Sequence, residues 1–143
     1  MECWEEAQVL VVAHDTAASP ALLEAVRERA ERSPAARFRM LVPDSPEVNW
    51  HLVHRSRFQK VTRAEEAVLL ALPLIEDAAG DSVDCSMSIR QDPMDAIEEA
   101  LNMWHFDEII LSTPARRFAR RLHVDLPRRV AHLGLPVTTV TPP

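Results

Sequence analysis

Phe106-Asp107-Glu108-Ile109-Ile110-Leu111-Ser112-Thr113-Pro114 is the stretch that decides the fold. Two acids lead into three large apolar residues, and these give way to two hydroxyls and a proline. An unbroken apolar run bounded by turn residues marks a strand covered on both faces. Such strands belong to open parallel sheets flanked by helices, where ligands sit beyond the carboxyl ends of the strands. Ser112 and Thr113 stand at that end.

Four further strands follow from the same reasoning. Residues 8–14 contain Val9-Leu10-Val11-Val12-Ala13, a β-branched buried run, and residues 37–42 contain Phe38, Met40, Leu41 and Val42. Residues 82–89 alternate instead, with Val83, Cys85, Met87 and Ile89 on one side and Asp84, Ser86 and Ser88 on the other. That pattern predicts a half-exposed edge strand with Cys85 as a small buried hydrophobe. Residues 135–141 complete the set.

Helices are expected between the strands. Ser19-Pro20 supplies an N-cap and a first-turn proline, followed by a stripe of Leu22, Leu23, Val26 and Ala30 that Ser33-Pro34 ends. Thr62-Arg63-Ala64-Glu65 matches a capping box, with Val68, Leu69, Leu72 and Ile75 as the following stripe. Pro73 is expected to kink this helix, and Gly80 to stop it. Asp92-Pro93 opens a third helix with Ile97, Ala100, Leu101 and Trp104 inward. Asp125-Leu126-Pro127 opens a fourth, stopped by Gly134. Residues 1–7 read as a flexible start and 44–61 as an irregular excursion of one domain spanning 1–143. Right-handed crossovers turn this order into a single-domain α/β fold: an open parallel five-stranded sheet with helices on both faces.

A hydrophobic content of 47% over 143 residues supports one ordinary core. The net charge of −6 argues against a nucleic-acid partner. Positive charge is nonetheless concentrated in residues 115–132, where Arg116, Arg117, Arg120, Arg121, Arg128 and Arg129 face one acid, Asp125. Two cysteines, Cys3 and Cys85, do not suggest a disulfide framework. No signal-like opening and no apolar run near about 20 residues is present, so a cytoplasmic protein with no membrane partner is expected.

From Val9 to Val140 the chain resembles the universal stress protein family, within the adenine-nucleotide-binding α/β domains. The likeness rests on three places. They are the first strand with its polar loop and capped helix, the stretch Asp92-Pro93-Met94-Asp95-Ala96-Ile97, and the strands Asp107-Glu108-Ile109-Ile110-Leu111-Ser112 and Leu135-Pro136-Val137-Thr138-Thr139-Val140. It is similar to a divergent branch in which Leu41-Val42-Pro43 closes the second strand. The resemblance implies the strand order 3-2-1-4-5. It also implies a crevice lined by His14, Asp15, Thr16, Leu41, Val42, Ser112 and Thr113, with Asp15 matching an aspartate of the family. Family members commonly dimerise through the fifth strand, which implies a homodimer edge at Val137, Thr138, Thr139 and Val140.

The family's phosphate motif is where the chain departs. Members that bind ATP carry Gly-x2-Gly-x9-Gly-Ser/Thr after the fourth strand, and those glycines let backbone N–H groups approach phosphates. Here that spacing falls on Ser112, Ala115, Asp125 and Leu126, and the chain's only glycines are Gly80 and Gly134. No cofactor is therefore expected; an adenine nucleotide such as ATP is the one the resemblance would allow. Arg116, Arg117, Arg120 and Arg121 could substitute side-chain forks for the glycine loop and hold a small anionic ligand. The bland alternative is a solvated or partner-facing surface.

Other chemistry is sparse. His51 and His54 stand three apart without companions, so no metal site is expected. A P-loop, a dinucleotide glycine fingerprint and an HExxH motif are all missing. Three readings remain open at this point. The first is a binding or regulatory module without catalysis. The second is a nucleotide- or phosphate-binding domain that uses arginines and hydrolyses slowly. The third is a structural dimerisation module.

Overall fold

The computed structural model of the chain describes residues 7–13, 19–42, 69–87, 93–112 and 126–140. Its elements are β1 (Gln8–Val12), α1 (Pro20–Arg32), β2 (Arg37–Val42), α2 (69–79), β3 (Asp84–Met87), α3 (Pro93–Met103), β4 (Glu108–Ser112), α4 (Leu126–Ala131) and β5 (Val137–Val140). All strand pairings are parallel, in the order β3-β2-β1-β4-β5. The five strands, their order and both edges match the expectation from sequence.

The helices divide between the faces as right-handed crossovers require. Connections running from β1 toward β3 put α1 and α2 on one side. Those running from β3 through β4 to β5 put α3 and α4 on the other. The first side buries Val9, Val11, Phe38, Met40, Val42 and Ile110 against Leu22, Val26, Ala71, Ile75 and Ala78. The second buries Leu10, Val12, Leu41, Ile109 and Leu111 against Met94, Ile97, Ala100 and Val130. Neighbouring residues of β1 and β4 thus enter opposite cores, which is why both strands read as unbroken apolar runs.

Helix boundaries follow their caps. Ser19 sits in extended conformation, and its Oγ accepts from the Leu22 N–H at 3.2 Å with Pro20 in the first turn. The Ser33 N–H closes the other end on the Arg29 carbonyl. Gly80 and Gly134 adopt φ of 78° and 85°, the left-handed conformation a glycine enters at no steric cost. The capping residues expected for the other three helices, Thr62, Asp92 and Asp125, lie outside the described residues, as do Val68 and the segment 44–61.

Two expectations about packing are corrected. Leu69 was expected inward on α2 but is 72% exposed, and the buried stripe is Ala71, Ile75 and Ala78. Leu69, Leu70, Ala71, Leu72, Leu74 and Ile75 surround the helix with apolar groups, so periodicity does not fix which side meets the sheet. The small Ala71 and Ala78 admit a closer approach to it than leucines would. Cys85 was expected buried but is exposed. It stands beside Met40 on the covered face, but β3 is an edge strand with one neighbour, and such a strand keeps solvent access on that face. Pro73 lies within α2 at an exposed position, so its missing N–H falls on the solvent side.

Candidate functional site

The carboxyl ends of β1 and β4 are neighbours, with Val12 opposite Leu111. From β1 the chain crosses toward β2 over one face, and from β4 toward β5 over the other. The connections diverge at that point, and an open α/β sheet opens a crevice where they do. The Ala13 N–H donates to the Leu41 carbonyl at 2.9 Å, which carries the β1–β2 pairing one residue past the strand. Ser19, itself buried, then starts α1 at the same end of the sheet.

Of the residues expected to line this crevice, Leu41, Val42 and Ser112 are described, and the structure brings them to one end of the sheet. Leu41 and Val42 are core residues on opposite faces at the carboxyl end of β2, and their side chains offer no polar group. Ser112 is the polar member. It is 3% exposed, and among the described residues its hydroxyl has no hydrogen-bond partner. A buried hydroxyl without a partner carries a desolvation cost, which a ligand atom or an ordered water would relieve. His14, Asp15, Thr16, Thr113 and the arginines Arg116, Arg117, Arg120 and Arg121 lie outside the described residues, as do His51 and His54.

β5 is the outer strand beside β4, with Thr138 and Thr139 exposed and Val137 and Val140 half-buried. Val140 packs against the α1/α2 core, and Val137 against the α3/α4 core. Among the described residues no helix is long and apolar enough to cross a membrane.

The amino end of the sheet holds charged clusters that sequence reasoning missed. Asp107 N–H donates to the Gln8 carbonyl and Asp107 Oδ2 accepts from the Gln8 N–H, both at 2.8 Å. His105 Nε2 lies 3.1 Å from Asp107 Oδ1. The hydrogen bond from the Gln8 backbone, aided by His105, holds the Asp107 carboxyl below the usual carboxylate range against a small opposing effect of burial. Arg29, in the last turn of α1, pairs through Nε with Glu108 Oε1, and both side chains are largely covered. Arg39 lies over the Trp104 ring at 3.9 Å from its centroid and donates from Nη1 to Ser86 Oγ at 2.9 Å. The signal for this last cluster was an arginine inside an otherwise apolar strand.

No protein-family model matches the sequence, and no curated protein matches it either. Solved structures do match. A universal stress protein from Archaeoglobus fulgidus superimposes with a TM-score of 0.65 at 15% identity, covering 94% of this chain and 93% of that one. The structure of the universal stress protein from the same organism in complex with dAMP gives 0.58 at 18% identity, covering 96% and 99%. Universal stress protein UspA from Lactobacillus plantarum gives 0.62 at 16%, covering 94% and 96%. The chain therefore has the universal stress protein fold over nearly its whole length.

Proposed function

We propose that the protein is a cytoplasmic, single-domain binding or regulatory module without catalytic activity, whose small ligand occupies the β1/β4 crevice. The observation that carries this is Ser112. It ends β4 at the point where the connections diverge, and its buried hydroxyl is unmatched among the described residues. One neighbour of this fold was solved in complex with dAMP, which makes adenine nucleotides the first ligands to try.

The mode of binding differs from the glycine cradle. From Ser112 to Leu126 the chain holds no glycine, and Asp125 puts negative charge where that cradle would hold a phosphate. A backbone carrying Cβ atoms at those positions approaches phosphate oxygens less closely. Phosphate recognition, where it occurs, falls to Arg116, Arg117, Arg120 and Arg121, which follow β4 directly. Slow hydrolysis is the second reading, and that same arginine cluster is what favours it.

We further propose a homodimer paired through β5. Its exposed Thr138 and Thr139 and the uncharged run from Leu135 to Pro143 give the edge no charge to oppose pairing. Pro136, Pro142 and Pro143 flank the segment without interrupting its middle. Titration calorimetry with dAMP, ADP, ATP and inorganic phosphate, each with and without magnesium, tests the crevice. Binding weakened by Arg116→Ala with Arg117→Ala, and less dependent on salt in that variant, supports the arginine mode. An unchanged titration leaves those arginines as surface. Failure of every nucleotide and of phosphate to bind removes the nucleotide reading and leaves the dimerisation module.

A further inference from the structure

We propose that a hollow at the amino end of the sheet binds a small organic carboxylate with a planar apolar body, independently of the crevice at the opposite end. The hollow measures about 610 Å³ and is lined by Gln8, Arg37, Phe38, Arg39, Asp84, Trp104, His105 and Phe106. Gln8, Arg37 and Asp84 begin β1, β2 and β3, whereas Val12, Val42 and Ser112 end their strands at the crevice.

Arg39 is the central cation of the hollow. Its side chain is only 20% exposed, yet among the described residues its guanidinium makes a single hydrogen bond, to Ser86 Oγ. A guanidinium has five N–H donors in a planar fork. Asp84 Oδ2 lies 3.6 Å from Nη2, an ion-pair distance too long for a hydrogen bond. Trp104 lies against the guanidinium carbon, a contact cation–π attraction favours, and the donors other than the one to Ser86 have no hydrogen-bond partner among the described residues. Those donors fit the two oxygens of a carboxylate.

The surroundings select the rest of the ligand. Arg37, two residues before Arg39, lies on the same face of β2 and also lines the hollow. The Asp84 carboxylate is 77% exposed and largely screened by water, so it competes weakly for Arg39. Trp104 and Phe106, both on the α3/α4 side of the sheet, supply apolar wall, and the volume lies within the range of about 300–1,000 Å³ seen for organic ligands. A bare inorganic anion would leave that wall unused.

The test is an NMR titration of the full chain with benzoate, with benzamide as the uncharged match and inorganic phosphate as the anion lacking an apolar body. Benzoate should give saturable shifts at the Trp104 indole N–H and the Arg39 Nε–H. Benzamide and phosphate should bind about tenfold more weakly, and the Ala13 and Ser112 amides should stay fixed. Arg39→Lys keeps the charge, removes the fork and should weaken benzoate about fivefold. Arg37→Gln, at an exposed position, should weaken it about twofold with the fold intact. Four results would overturn the proposal: no saturation by roughly 20 mM benzoate, equal binding of benzamide, unchanged affinity in Arg39→Lys, or shifts confined to the crevice. Failure of nucleotides to bind at the crevice would leave this site untouched, so the two proposals fail separately.

Discussion

Asp107 and Gln8 hold each other twice, once from backbone to backbone and once from the Gln8 N–H to the Asp107 carboxylate, each at 2.8 Å. They lie 99 residues apart and join the entrances of the two central strands. The side chain completes the β1–β4 ladder where its backbone partners run out, so the first residue of β1 is not left with an orphan donor.

That bond gives stability a pH dependence of definite sign. Asp107 is held below its ordinary range, so its contribution is present above that range and is lost as pH falls through the depressed value. Asp107→Asn keeps an acceptor for Gln8 but removes the charge. At neutral pH it should cost no more than about 1 kcal/mol, because the side chain is 47% exposed and water screens it. Urea unfolding of both proteins from pH 7 down into the acid range should show the difference shrinking toward zero. A difference that stays constant with pH would contradict the assignment.

Arg29 and Glu108 join the last turn of α1 to the first residue of β4 with side chains 13% and 16% exposed. Neutralising one partner strands the other in partial burial. A double-mutant cycle of Arg29→Met and Glu108→Gln should therefore give a coupling of about 1–2 kcal/mol. An ordinary surface pair would give about 0.5 kcal/mol or less.

The β5 edge predicts the state of assembly. Thr138→Lys with Thr139→Lys charges both exposed positions and spares Val140, which packs against the core. Sedimentation at micromolar concentration should find the unaltered protein dimeric and the lysine variant monomeric. A monomeric parent would remove the interface, and a dimer indifferent to the lysines would move it elsewhere.

Legibility in the sequence followed the number of neighbours each element has. β1 and β4 are enclosed on both faces, so their composition alone revealed them, while the strand order came from the resemblance to the universal stress protein family. β3 has one neighbour, and alternation that located the strand misplaced Cys85 because an edge covers its inner face incompletely. In α2, apolar residues encircle the helix, and the orientation depended on where alanines permit close packing, which no periodicity encodes. Among the candidate site residues, Ser112 was legible as the hydroxyl ending an apolar run. The Arg39–Trp104 stack was not, since it joins a strand interior to a helix end 65 residues later, and nothing local pairs them.

Calorimetric titration of the full chain with ATP and magnesium asks whether phosphates find a backbone cradle after β4, where the chain from Ser112 to Leu126 has no glycine. No saturable heat is expected at ligand concentrations below about 100 μM. A dissociation constant at or below about 1 μM, with phosphates held by the backbone between Ser112 and Leu126, would contradict it.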